Sequence, residues 1–264
     1  MEHVVIDGVD VAFEADGSGP PLVLLHGALQ DSRAWRPQFA DLRDEFTVVA
    51  WDAPGCGRSA DPPETWRFPD YADCLSALIS ALSLVAPIVG GLSWGGSLAI
   101  EHQHRHPGVA SALVLVGAYA GWGGSLPPQV CDERLRSCLA QSEMQPEDFV
   151  PDWMPGLLTS AAPPELVDEI TAMMSDFHPV GFRAMAHAIA KADLRAVLPT
   201  IDVPVLLVYG DDDRRAPVNT VGAALADGIP NARLVVVPAA GHLCNAEQPT
   251  TFDGAIRAFA AANA

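Results

Sequence analysis

Apolar residues in this chain arrive in short bursts, separated by longer stretches in which they recur every three or four positions. Val4-Val5-Ile6 and Val9-Asp10-Val11-Ala12-Phe13 flank Asp7-Gly8, a dipeptide suited to a tight turn, so the chain opens with two antiparallel strands. The run Leu22-Val23-Leu24-Leu25 is apolar at every position, as a strand buried between layers of helix must be. A helical pattern through Trp35, Phe39 and Leu42 follows, then a strand over Phe46 to Trp51 and a helix over about Pro69 to Leu84. Pro87-Ile88-Val89 reads as the next strand, Ser97 to His102 as a helix, and Ala112 to Gly117 as a further strand. Strands alternating with helices predict parallel βαβ units.

Between Tyr119 and Thr200 the strand rhythm stops, and helical patterns such as Glu165 to Ile170 and Val180 to Met185 take over. The rhythm returns with Val203 to Gly210 and Arg233 to Pro238, and a last helix over about Ala246 to Ala261 closes the chain. The pattern predicts a core domain made of residues 1–119 and 200–264, interrupted by a helical insertion over 120–199. No internal repeat or low-complexity run is present.

Composition agrees with one domain and narrows its partners. With 264 residues and 49% hydrophobic content, the chain can bury a full core. It starts without a basic segment leading into an apolar run, and no stretch approaches the roughly 18 apolar residues of a membrane span, so a soluble, cytoplasmic protein is expected. Fifteen basic against 33 acidic residues give a net charge of −18, which repels phosphate backbones and anionic lipid. The expected partner is therefore a small-molecule substrate rather than nucleic acid or membrane, with a homo-oligomer left open. Cys56, Cys74, Cys131, Cys138 and Cys244 are odd in number and form no C-x-x-C pair, which points to reduced thiols rather than disulfides or a zinc knuckle.

The chemistry centres on Gly90-Gly91-Leu92-Ser93-Trp94-Gly95-Gly96, where a strand gives way to a helix. Gly91 and Gly95 bracket Ser93 in a G-x-S-x-G spacing, because a sharp elbow leaves no room for Cβ atoms beside the serine. A serine hydroxyl is a weak nucleophile until a base takes its proton, and the base needs an acid to orient it. Gly210-Asp211-Asp212-Asp213 follows one strand and Gly241-His242 follows the next. Parallel strands bring their C-terminal ends to one edge, so Ser93, an aspartate of this run and His242 can converge there.

With Leu25-His26-Gly27-Ala28, Asp52-x-x-Gly55-x-Gly57-x-Ser59, Gly91-x-Ser93-x-Gly95-Gly96, Gly210-x-x-Asp213-x-x-x-Pro217 and Gly241-His242 in this order, the sequence resembles the α/β-hydrolases of the small serine esterase and lactonase type. The resemblance covers nearly the whole chain. It implies the α/β-hydrolase fold: a mostly parallel sheet flanked by helices, with a helical cap. It also implies Ser93 as nucleophile, His242 as base and Asp213 as the acid, since the family's acid stands three residues after the strand-ending glycine. Some relatives carry that acid after the preceding strand; Gly117-Ala118-Tyr119 offers no carboxylate there. The oxyanion hole falls to the backbone N–H groups of Ala28 and Trp94. No metal or cofactor is implied.

Other residues are weighed against these. Asp52 to Ser59 reads as a structural turn beneath the site. His102, His104 and His106 end the helix after Ser93, and although His102 and His106 have the spacing of a metal pair, no third ligand accompanies them; a solvated helix end is expected. His26 is expected to shape its loop, while His178 and His187 can face the pocket from the cap. Leu29, Trp122, Met173, Phe177, Phe182, Met185 and Leu243 are expected to line that pocket.

The activity this implies is hydrolysis of a carboxylic ester or lactone of a small, fairly apolar molecule through an acyl-enzyme. Carbon–carbon bond hydrolysis of vinylogous diketones, cofactor-free perhydrolysis, and a small-molecule receptor with little turnover are the rivals. The acidic surface and the apolar cap predict neutral substrates, because a desolvated carboxylate needs a placed cation and the insertion offers only Arg134, Arg136, Arg183, Lys191 and Arg195.

Overall fold

The computed structural model describes residues 1–263. Strands β1 (Glu2–Ile6) and β2 (Val9–Asp16) form the opening hairpin, followed by β3 (Pro21–Leu25), helix α1 (Arg36–Leu42), β4 (Thr47–Trp51), α2 (Phe68–Ala81), β5 (Ile88–Leu92), α3 (Trp94–Arg105) and β6 (Ala112–Val116). The segment before the next strand holds α4 (Trp122–Ser125), α5 (Pro128–Gln141), α6 (Pro146–Leu157), α7 (Pro164–Ser175) and α8 (Pro179–Lys191). Then come β7 (Val205–Gly210), α9 (Ala223–Gly228), β8 (Ala232–Val237), α10 (Cys244–Glu247) and α11 (Pro249–Ala262).

The eight strands make one sheet in the order β1-β2-β4-β3-β5-β6-β7-β8. β2 runs antiparallel to both its neighbours, and every later pairing is parallel, in register from Leu22 opposite Ile88 to Gly210 opposite Val237. This is the α/β-hydrolase fold. β5, β6 and β7 are buried along their whole length, which is why their sequences are apolar without alternation. Each large side chain buried here contributes about 1.5–3 kcal/mol relative to exposure. α2 packs on α3, and α1 on α11, to cover the sheet.

Two helix ends differ from the sequence pattern for local reasons. The helix expected to run to Leu84 stops at Ala81, because Ser83 turns into the left-handed region at φ 55°. The closing helix is broken at Gln248 (φ −132°, ψ 57°), whose successor Pro249 disfavours helical backbone before it.

The residues between β6 and β7 contain helices and no strand, and they sit over the C-terminal edge of the sheet. Several ties hold them to the core: Arg33 pairs with Asp176 (2.8 Å), Arg183 with Glu64 (2.6 Å) and Arg36 with Glu169 (2.8 Å), and the Trp94 indole donates to the carbonyl of Met185 (3.1 Å). Backbone meets backbone at Gly55 and Gly181, so closely that a Cβ on Gly181 would overlap the Gly55 carbonyl. The five cysteines are free and buried. No described helix is long and apolar enough to cross a membrane.

Candidate active site

Ser93 sits between β5 and α3 at φ 54°, ψ −110°, a conformation that costs a side-chain-bearing residue of order 1–3 kcal/mol and persists only where the surroundings fix it. They do so on both sides. The Ser93 N–H donates to Val116 O (2.7 Å), and Ser97 N–H returns to Ser93 O (3.1 Å). A Cβ on Gly95 would stand 2.5 Å from the Leu25 carbonyl oxygen, and one on Gly91 would overlap the Gly95 carbonyl, so the elbow admits only glycine at these two places.

Trp94 is the first residue of α3, so its N–H has no acceptor within the helix and lies at the positive end of the helix dipole. Its indole is buried against Phe68 and edge-on to Tyr71 (centroids 5.2 and 4.9 Å). Ala28 follows Gly27 on the loop after β3, and the side chain of Gln30 holds that loop by accepting from Gly27 N–H (3.0 Å). His26 is fully buried beneath it. Its Nε2 accepts from Ala53 N–H (2.9 Å), which leaves Nδ1–H to donate to Gly27 O (2.8 Å), and burial pushes its pKa down. His26 is thus a neutral loop brace, as its sequence context suggested.

His242 and Asp213 are both buried at the ends of β8 and β7. Nδ1 of His242 lies 2.8 Å from Oδ2 of Asp213, whose Oδ1 accepts from the N–H groups of Arg215 (2.9 Å) and Ala216 (2.8 Å). Those two backbone donors fix the carboxylate before it meets the imidazole. His242 Nε2 has no partner, and His242 lines the same chamber as Ser93, Ala28 and Trp94. Asp211 instead accepts from Ala240 N–H (3.2 Å), and Asp212 faces solvent beside Arg214 (3.2 Å). Asp52 is buried beneath, accepting from Ser32 N–H (2.8 Å) and Arg58 N–H (2.9 Å), a structural turn.

Ser93, His242, Ala28 and Trp94 line one chamber. Of the pocket residues expected from sequence, Trp122, Phe182, Met185 and Leu243 line it. Leu29, Met173 and Phe177 do not: they line a small neighbouring cavity, on the far side of the wall made by Phe182 and Met185. Tyr119, Arg134, Trp153 and Arg215 also line the chamber; of these the apolar pattern of the insertion marks only Trp153 as buried, without placing it at the pocket. Neither His178 nor His187 borders it; His178 pairs with Asp61 (2.8 Å).

The histidines of α3 also divide. His104 is exposed, but His102 is fully buried with neither ring nitrogen hydrogen-bonded, and burial together with neighbouring His106 pushes its pKa down to about 4. The expectation of a solvated helix end fails there because α2 packs across this face of α3. No cluster of three potential metal ligands exists among the described residues.

Residues 22–255 match the alpha/beta hydrolase family, and the chain belongs to it. Among its relatives, 3-oxoadipate enol-lactonase 2 of Acinetobacter baylyi is 28% identical over 248 residues, covering 90% of this chain and 88% of that protein. A thermophilic esterase from Thermogutta terrifontis, solved with malate bound, superposes with a TM-score of 0.92 at 29% identity over 100% of this chain and 99% of the esterase. The enol-lactonase of Burkholderia xenovorans shares the fold with a TM-score of 0.90 at 24% identity, covering 98% and 100%.

Proposed function

We propose that the protein hydrolyses a carboxylic ester or lactone of a small molecule, with Ser93 as nucleophile. His242 takes the Ser93 proton through Nε2 as Oγ attacks the carbonyl carbon, and Asp213 stabilises the imidazolium through Nδ1. The oxyanion that forms is held by the N–H groups of Ala28 and Trp94, donors of a kind worth about 3 kcal/mol each. His242 then returns the proton to the departing alkoxide, leaving an acyl group on Ser93. Water, deprotonated by the same Nε2, attacks the acyl carbon and frees the acid. In a lactone the alkoxide stays tethered to the acyl chain, and the product is a hydroxy acid or, from an enol lactone, a keto acid.

The observation carrying this reading is the buried 2.8 Å contact between His242 and Asp213, with the opposite ring nitrogen unpartnered and His242 lining the same chamber as Ser93. The esterase and enol-lactonase relatives support the same bond class. A fluorophosphonate probe should label the protein once, at Ser93, and Ser93→Ala should abolish both labelling and hydrolysis in a panel of esters and lactones. Labelling that survives the substitution would refute the assignment.

A further inference from the structure

The chamber's outer wall carries two positive charges with no negative partner. Arg215 follows Asp213 by two residues and so belongs to the core loop after β7, while Arg134 comes from α5 in the cap. Many surface arginines pair with acids, as Arg183 does with Glu64 and Arg195 with Asp193, and unpaired ones such as Arg136 and Arg233 are exposed to solvent. Among the described residues no carboxylate lies within ion-pair distance of Arg134 or Arg215, and the Arg215 guanidinium makes no hydrogen bond. Aromatic rings hold both in place: Arg215 lies 4.2 Å from the Trp153 ring centroid, and Arg134 lies 5.6 and 5.9 Å from those of Trp122 and Tyr119. Arg134 is further fixed by donating to Tyr119 Oη and to the Arg215 carbonyl (both 3.2 Å).

Their location suits a substrate group rather than a structural pair. Trp122, Arg134, Cys138, Trp153 and Arg215 line the catalytic chamber on one side and an outer pocket on the other. The two arginines therefore stand between the chamber that holds Ser93 and the outer pocket, where exposed Asp152 is the only acid among the described lining residues. Burial works against the charge of Arg215, so it stands uncompensated in a half-apolar wall. A carboxylate accepts a planar guanidinium fork with two parallel bonds and would relieve that cost. The expectation of neutral substrates rests on the cations of the insertion, and Arg215 lies outside it.

We infer that Arg134 and Arg215 form a carboxylate-binding subsite, so that the substrate is a small ester or lactone bearing a second, ionised acid group. This rests on the proposed hydrolase reading for the position of the scissile bond, but anion binding can be measured without turnover. Ser93→Ala protein would be titrated calorimetrically with the monomethyl esters of succinate, glutarate and adipate, each against its neutral dimethyl ester. At least one monoester should bind tenfold or more tighter than its diester, and added salt should weaken it. Combining Ser93→Ala with Arg215→Met or Arg134→Gln should reduce that preference at least tenfold, Arg215→Lys should restore part of it, and Arg136→Met, at an exposed cap position, should leave it intact. Diesters binding as tightly as monoesters, no monoester binding at millimolar concentration, or equal weakening of both in the arginine variants would each overturn the inference. Turnover of p-nitrophenyl acetate by the unsubstituted protein separates the two readings: an inert enzyme with an intact monoester preference loses the hydrolase proposal and keeps the subsite, and an active enzyme without the preference does the reverse.

Discussion

Gly117 and His242 are in contact across the sheet edge: a Cβ on Gly117 would stand 2.9 Å from both Cε1 and Nδ1 of the imidazole and 3.2 Å from Oδ2 of Asp213. The space beyond the end of β6 is therefore filled by the pair from β7 and β8, and the backbone there turns at φ 51°. Gly117→Ala should lower kcat at least tenfold by displacing His242, with KM less affected. Its left-handed backbone adds about 1–2 kcal/mol of destabilisation, read from urea melts. Unchanged kcat would mean that the imidazole can shift without consequence.

Three adjacent aspartates provide an internal control. Asp213→Asn should cost about three to four orders of magnitude in kcat, since an amide can favour the wrong imidazole tautomer. Asp212→Asn, on an exposed side chain paired only with Arg214, should change little. Asp211→Asn should fall between, because Asp211 holds the N–H of Ala240 two residues before His242. Equal losses at all three positions would remove Asp213 from its role.

His102 should make the fold acid-sensitive. Its folded pKa of about 4 lies below the ordinary 6.5, so the unfolded chain gains a proton first as pH falls. Its contribution is complete above pH 6.5 and is lost between 6.5 and 4, by about 2–3 kcal/mol. His102→Leu should remove that loss, and it should add about 1 kcal/mol at pH 7 by eliminating an unpartnered buried imidazole. Urea melts of both proteins at pH 7 and pH 4.5 provide the check: parallel declines would show that His102 protonates freely in the native state.

Asp253 works in the opposite direction. It is buried with one oxygen accepting from Gln38 (3.1 Å) and the other unpartnered, and burial pushes its pKa up from 3.8 to about 6. Below pH 3.8 the carboxyl is neutral in both states; between 3.8 and 6 the unfolded chain ionises first and stability falls; above 6 the cost is constant. Asp253→Asn, which keeps the Gln38 bond, should therefore stabilise the protein by about 1–2 kcal/mol at pH 7 and by almost nothing near pH 4. A gain of equal size at both pH values would point to packing rather than charge.

These residues also show what the sequence could convey. Ser93, Gly91 and Gly95 are legible because the elbow is local: strand, turn and helix are adjacent in the chain. The acidic run and His242 are legible because parallel strands share an edge, although the choice of Asp213 over Asp211 and Asp212 came from family spacing. Periodicity marked Met173 and Phe177 as buried without revealing that Phe182 and Met185 wall them off from Ser93. His102 looked solvated because its burial depends on how α2 crosses α3. Arg215 was invisible as a pocket residue because its neighbour Trp153 lies 62 positions away in another part of the chain.

The contact between Gly55 and Gly181 bears on how substrate choice can change. With two backbones touching and the Trp94 indole bonded to Met185 beside them, the cap has no side-chain cushion to slide on at this point. Swinging it outward would break that indole bond together with the Arg33–Asp176 and Arg183–Glu64 pairs in one motion. At Gly55 and Gly181 the roof therefore meets its wall as mortared stone, with no side chain between them to give way. On the proposed reading, redirecting this scaffold to new compounds starts away from that joint, by recutting the doorway at Arg134, Trp153 and Arg215.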